Sequence, residues 1–258
     1  MPIPVGYGYG RPRRRRWVRL LRMAGGFVIV ALCLSLLAVG GLLLVSPSVS
    51  DAQEIAASQD AAHHVAYPGP AVPAKFTAAL TATEDHRFGS EPGVDPFAVV
   101  KAAGGVVVHT SDPGGATIYQ QLAKMLYTPG EHGARVEAKQ VALAIKLRYS
   151  YTGAQILRMY ADVAYYGNGY YGIEAASCGY FGVSPAELSW PQAAMLAGVV
   201  NGPSLDDPVT NPVNGRVREE HVIGRLAATG ALTRAQADQA LTVSVPAMLA
   251  HAGQGCGA

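Results

Sequence analysis

The sequence predicts a mainly α-helical domain behind a single N-terminal transmembrane helix. Three observations carry that prediction. Residues 1–22 hold seven Arg and no acid, and the next 23 residues, Met23–Val45, hold no charge. From Lys75 onward apolar residues recur at helical spacing, with Ser, Thr and Asp at the helix starts. Strand signals are few. The composition, 50% hydrophobic and 15% charged, excludes a wholly disordered chain. Setting the seven N-terminal Arg aside, 20 basic residues become 13 against 18 acidic, a net charge of −5. That excludes a strongly basic nucleic-acid-binding body. Three Cys are too few for a disulfide scaffold and lack metal-finger spacing.

Taken in order, residues 1–22 read as a basic cytoplasmic tail. Met23–Val45 at about 1.5 Å per residue can cross a hydrocarbon core of about 30 Å. The stretch is longer than a signal-peptide core, and the following SPSVSDAQ is a poor cleavage site. The Arg cluster keeps the N-terminus in the cytoplasm and sends residues 46–258 outside the cell membrane, a single-pass arrangement. Residues 46–74, with Pro68, Pro70 and Pro73, read as a stalk. Lys75–His86 is a first helix. Asp95-Pro96 opens a second, through about Ala103, as N-cap and first-turn proline. Residues 104–115 read as a loop, with Val106–Val108 apolar.

Thr117–Tyr127 resumes the helical pattern. Val136–Tyr149 is amphipathic, with Val141, Ile145, Leu143 and Leu147 on its apolar side. Thr152 caps a helix to about Val163, and Tyr171–Phe181 follows. Ser184 with Glu187 and Thr233 with Gln236 have capping-box form. Pro191–Val200 and Val213–Ala228 complete the set, with Gly230 as a stop. Residues 75–245 form one domain and 246–258 a flexible tail. Cys178 and Cys256 both lie outside, where oxidation is possible, and their pairing stays open.

Several residues invite chemistry on their own terms. Glu84, Asp85, Glu91 and Asp95 put four acids beside a Gly/Pro-rich turn, a setting for a general base or a metal. Gly114-Gly115 precedes a helix whose N-terminus offers free N–H groups to a phosphate or sugar oxygen. Gln120, Gln121 and Lys124 follow, the last two sharing a face. Arg135, Glu137 and Lys139 add charge at the next helix start. Tyr165, Tyr166, Tyr170 and Tyr171 are candidates for stacking on sugars or for core packing. No Walker loop, HExxH, CxxC or Gly-x-Ser-x-Gly occurs, nor the Ser-x-x-Lys and Lys-Thr-Gly of a transpeptidase.

These segments, in this order from about Ala71 to Val245, resemble the peptidoglycan glycosyltransferases of glycosyltransferase family 51. In the motif Glu-Asp-x-x-Phe-x-x-His-x-Gly-x-Asp, Glu84, Asp85, Phe88, Gly93 and Asp95 match, and Glu91 stands at the His. In Gly-Gly-Ser-Thr-Ile-Thr-Gln-Gln-Leu-x-Lys, Gly114, Gly115, Thr117, Ile118, Gln120, Gln121, Leu122 and Lys124 match, while Ala116 and Tyr119 replace two hydroxyl residues. The third motif's Glu falls on Ala138, with Glu137 beside it. Arg158 and Asp162 depart from a fourth, Ile-Leu-Glu-x-Tyr-Leu-Asn, and a weak final motif surrounds Arg218.

The resemblance implies a lysozyme-like fold with a mobile jaw, and polymerisation of lipid II into β-1,4 glycan strands with inversion. It implies Glu84 as the general base and Glu137 as a second catalytic carboxylate that positions a divalent ion or the leaving group. Asp85, Phe88, Gly114, Gly115, Thr117, Gln120, Gln121, Lys124, Arg135 and Lys139 fall in the substrate-binding motifs. A divalent cation, Mg or Mn, is an admissible cofactor. The partners implied are lipid II, the growing strand, the membrane and a separate transpeptidase, with no nucleic acid. A non-catalytic lipid II-binding scaffold of a cell-wall complex is the alternative that the departures motivate.

Overall fold

The computed structural model describes residues 13–95 and 116–256. The helix expected to run from Asp95 to about Ala103 lies outside the described residues, Asp95 excepted, as do Val106–Val108, Gly114 and Gly115. The chain divides into two compact units, Met1–Val45 and Ser46–Ala258.

The first unit is one helix, α1 (Arg13–Val45), of 33 residues. It contains the whole uncharged stretch, and Phe27, Leu36, Leu37 and Leu44 stand exposed on it. Among the described residues no helix is long and apolar enough to cross a membrane. The transmembrane expectation over Met23–Val45 therefore rests on the sequence alone.

The second unit runs α2 (Ala52–Ala62), α3 (Ala74–Glu84), α4 (Ile118–Tyr127), α5 (Ala134–Ser150), α6 (Gly153–Val163) and α7 (Ile173–Phe181). A 3-10 turn (Pro185–Glu187), α8 (Trp190–Val199), α9 (Pro212–Ala228), α10 (Arg234–Ala240) and α11 (Val245–Met248) complete it. No strand forms among the described residues, where a single antiparallel bridge joins Tyr165 to Tyr171.

Four of these helices start on reciprocal capping boxes: Thr117 with Gln120, Thr152 with Gln155, Ser189 with Gln192, and Thr233 with Gln236. Each box satisfies two backbone donors that the first turn leaves open, and such a cap contributes about 1 kcal/mol. The core forms around α8. Ala193, Ala194, Met195, Leu196, Ala197 and Val199 are all buried, so the helix is apolar on every side and must be surrounded. It packs on α3 and α9, while α4 packs on α5 and α6. Gly198 lets α9 approach closely, since a Cβ there would lie 3.1 Å from that of Arg218.

Two expectations are corrected. The stretch expected as a stalk contains α2, which buries Ala52, Ala56 and Asp60, four residues apart, and packs on α6. Gln59 also donates to the Met125 carbonyl at 3.0 Å, and Tyr127 to Asp51 at 2.9 Å. Small residues make this face, so hydropathy alone does not mark it. The tail expected to be flexible is held by a Cys178–Cys256 disulfide and by Gly253 N–H donating to the Gly179 carbonyl at 2.8 Å.

The α2–α6 contact also buries two acids. Asp162 accepts from Gly69 N–H at 3.0 Å. Burial and their mutual repulsion push Asp60 up to about 7, and burial pushes Asp162 up to about 6. Among the tyrosines, Tyr166 is fully buried, whereas Tyr171 stays half-buried with the His63 ring stacked on it at 3.5 Å.

Candidate active site

Glu84 is the last residue of α3. Because α3 is gripped by α8 and α9, its end meets chain from both. Asn201, just beyond α8, donates from Nδ2 to Glu84 Oε2 at 2.8 Å. Gln121 of α4 donates from Nε2 to the same oxygen at 3.0 Å. Arg218 of α9 brings Nη2 to 3.7 Å from the other oxygen, Oε1, a charge contact longer than a hydrogen bond. The Glu84 side chain is only 7% exposed.

The amide of Gln121 is itself oriented. Tyr160, buried on α6, donates its hydroxyl to Gln121 Oε1 at 2.8 Å, so Nε2 faces the carboxylate. Burial and the nearby Glu84 charge raise the Tyr160 phenol well above its ordinary range, so it stays a donor. Arg218 Nε also lies 3.4 Å from Asp206 Oδ2 without hydrogen-bond geometry, a second charge contact that holds the guanidinium. The result is a carboxylate with one oxygen occupied by two neutral amides. The second oxygen lies near a cation and keeps its capacity to take a proton.

Asp85 follows as the C-cap of α3 and turns inward. Its Oδ2 accepts from the backbone N–H of Ile118, at the first turn of α4, at 3.1 Å. The loop from 85 to 95 is packed against α4 and α5. Phe88 stacks on Tyr119 at 5.0 Å, and Arg148 donates to the carbonyls of Glu91 (3.0 Å) and Gly89 (2.6 Å). Thr117 Oγ1 donates to the Gly93 carbonyl at 2.7 Å. Gly93 has φ +90, and a Cβ there would come within 2.6 Å of the Ala144 carbonyl oxygen, so only glycine fits. Within this loop the Glu91 and Asp85 side chains are both almost fully buried.

The cations lie apart from this framework. Lys124 and Arg135 are exposed and Lys139 half-buried, and none makes a side-chain ion pair or hydrogen bond among the described residues. Arg135 and Lys139 are four apart on α5 and share a face. Glu137 is two residues from each, which at about 100° per residue turns it about 160° away from both. The expected second catalytic carboxylate thus stands exposed on the far side of α5 from its cations, and the residue nearer their face is Ala138.

The structure therefore gathers Glu84 and Gln121 of the expected residues and adds Asn201, Arg218 and Tyr160. Arg218 stands in the weak final motif, Tyr160 at the Tyr of the fourth motif and Asn201 in the family-like run LSWPQAAMLAGVVNGPS, but none of the three is singled out there as a site residue. The side chains of Thr117 and Gln120 are engaged in the α4 cap, and Asp85 and Phe88 in the buried loop. Among the described residues no three His, Cys, Asp or Glu side chains converge to hold a metal ion.

Comparison with known proteins identifies the family. A family model described as transglycosylase matches residues 51–227. Penicillin-binding protein 2a of Streptococcus pneumoniae is 37% identical over 171 residues, covering 66% of this chain and 23% of that protein. Penicillin-binding protein 1A of Aquifex aeolicus is 35% identical over 175 residues, covering 66% and 24%. A protein of Cupriavidus necator that carries the name transglycosylase is 32% identical over 213 residues, covering 81% of this chain and 92% of its own. The chain spans about a quarter of the length of the penicillin-binding relatives.

Proposed function

The chain belongs to the transglycosylase family and carries a glycosyltransferase domain of the peptidoglycan type, and we propose that it polymerises lipid II into β-1,4 glycan strands with inversion. In this reading the helical unit is lysozyme-like and α1 anchors it, N-terminus inward, at the outer face of the cell membrane. A lipid-linked donor is confined to that surface, so an anchored enzyme meets it there.

The observation that supports the reading is the holding of Glu84. A sugar 4-hydroxyl attacks the anomeric carbon and gives its proton to Glu84 Oε1, within reach of Arg218. The bond from that carbon to the polyprenyl diphosphate breaks, and the diphosphate leaves with the electron pair. Attack from the opposite face inverts the anomeric centre. Lys124, Arg135 and Lys139 are exposed where a diphosphate can meet them, and they offset its growing charge. A separate transpeptidase is the partner that would crosslink the product.

The test is lipid II polymerisation by the detergent-solubilised full-length protein beside Glu84→Gln. Polymer from the wild type and at least 100-fold less from the variant, about the smallest contribution of a general base, supports the reading. Retained lipid II binding with no polymer from either, across several detergents and divalent ions, replaces it with the scaffold.

A further inference from the structure

Arg218 is suspended between two acids. Its Nη2 lies 3.7 Å from Glu84 Oε1, and its Nε lies 3.4 Å from Asp206 Oδ2. Nε is buried, and the guanidinium makes no side-chain hydrogen bond among the described residues. A guanidinium and a carboxylate that meet freely close to about 2.7–2.9 Å, often through two parallel bonds. Here neither acid draws the cation that close, and each holds it back from the other.

The fold fixes the place of Asp206. One turn between α8 and α9 carries both Asn201, which donates to Glu84 Oε2, and Asp206, whose N–H donates to the Gly202 carbonyl at 2.8 Å. The Asp206 carboxylate folds back over Gly202. A Cβ at Gly202 would lie 2.9 Å from Oδ2, the oxygen that faces Arg218. On α9, Gly215 leaves room for the Asp206 carbonyl oxygen, which would stand 3.2 Å from a Cβ there. Among the described residues the Asp206 carboxylate, 16% exposed, has no side-chain partner except Arg218.

We propose that Asp206 is a positioning residue for the base: it restrains Arg218, so that the cation stays near Glu84 Oε1 without occupying it. The inference rests on Glu84 being the base. A cation near a carboxylate helps to keep it charged where water is shut out. A cation hydrogen-bonded to the accepting oxygen goes further, because it takes up the lone pairs that a proton needs and leaves a weaker base. Asp206 sets Arg218 between these limits. Tyr160 of α6 also faces Glu84, and its phenol stays protonated.

The experiment compares full-length wild type with Asp206→Asn, which keeps the side-chain shape and removes the charge. In a crystal structure of the variant, Arg218 should close on Glu84 Oε1 to about 2.9 Å. In lipid II polymerisation, kcat should fall about threefold to tenfold with KM within about twofold. The acid limb of the pH–rate profile should move down by about one pH unit, as a weaker base requires. A fall in kcat with the acid limb unmoved makes Asp206 merely structural and overturns the proposal. An unaltered kcat overturns it too, as does a guanidinium that keeps its distance in the crystal. If Asp206→Asn does not fold, Asp206→Ser removes the same charge and must give the same three results. A wild type that makes no polymer fails the proposed function and the role in catalysis with it, while the crystal structure still decides whether Asp206 holds Arg218 back.

Discussion

The Glu84 pocket and the cationic edge of α4 and α5 are built on opposite plans. Glu84 is 7% exposed and is met by Gln121, Asn201 and Arg218 from three other segments. Lys124 and Arg135 stand exposed with no side-chain partner among the described residues. On the proposed function, the contrast follows from what each must handle. A base transfers one proton over a hydrogen-bond distance, and misplacement by about 1 Å can cost about 100-fold, so its geometry must exist before substrate arrives. A diphosphate is large and hydrated, and it must also leave. Long cationic side chains kept in water can follow it without being frozen in advance.

The sharpest way to break this contrast is Glu84→Gln, expected to remove about 100-fold to 10,000-fold of turnover while lipid II binding persists. An unaltered rate would mean that the ordered pocket is only structural. Next is Asn201→Ala. It keeps the carboxylate but frees Oε2 from one of its two amides. Turnover should fall about tenfold with little change in KM, read from initial rates across lipid II concentrations.

The cations should behave in the opposite sense. Lys124→Ala, Arg135→Ala and Lys139→Ala should each raise KM by about threefold to tenfold. The wild-type KM should itself rise with salt, because exposed charges are screened over a Debye length of about 10 Å at 0.1 M. A salt-independent KM would place the diphosphate elsewhere. The smallest effect belongs to Glu137→Gln, within about twofold of wild type, since Glu137 projects away from the cationic face. A large loss there would restore it as the second carboxylate and require α5 to turn on binding substrate.

The sequence shows local features far better than distant ones. Thr117 and Gln120, or Thr233 and Gln236, state a helix start within four residues, and the helices begin there. Glu84 and Gln121 are legible because each sits in an ordered motif. Asn201 lies in the family-like run LSWPQAAMLAGVVNGPS, but its bond to Glu84 spans 117 residues, so no local pattern marks it as a partner of the base. The α2 helix hides for another reason: Ala52 and Ala56 bury well but barely alter hydropathy. Glu91 reads as one of four acids beside a turn, and its burial becomes visible only when the fold brings Arg148 to its carbonyl.

The Cys178–Cys256 bond has a bearing on what happens to a cut chain. Its cysteines are 78 residues apart, and the span between them contains α8, α9, Asn201 and Arg218. A protease that cuts once in that span yields two fragments that remain one molecule. Asn201 and Arg218 then stay tethered to the piece that carries Glu84, through one end or the other. Cleaved protein should run as a single species on a non-reducing gel and as two after reduction. Damage that severs an ordinary chain becomes, here, a nick that leaves the groups around the base in the same molecule.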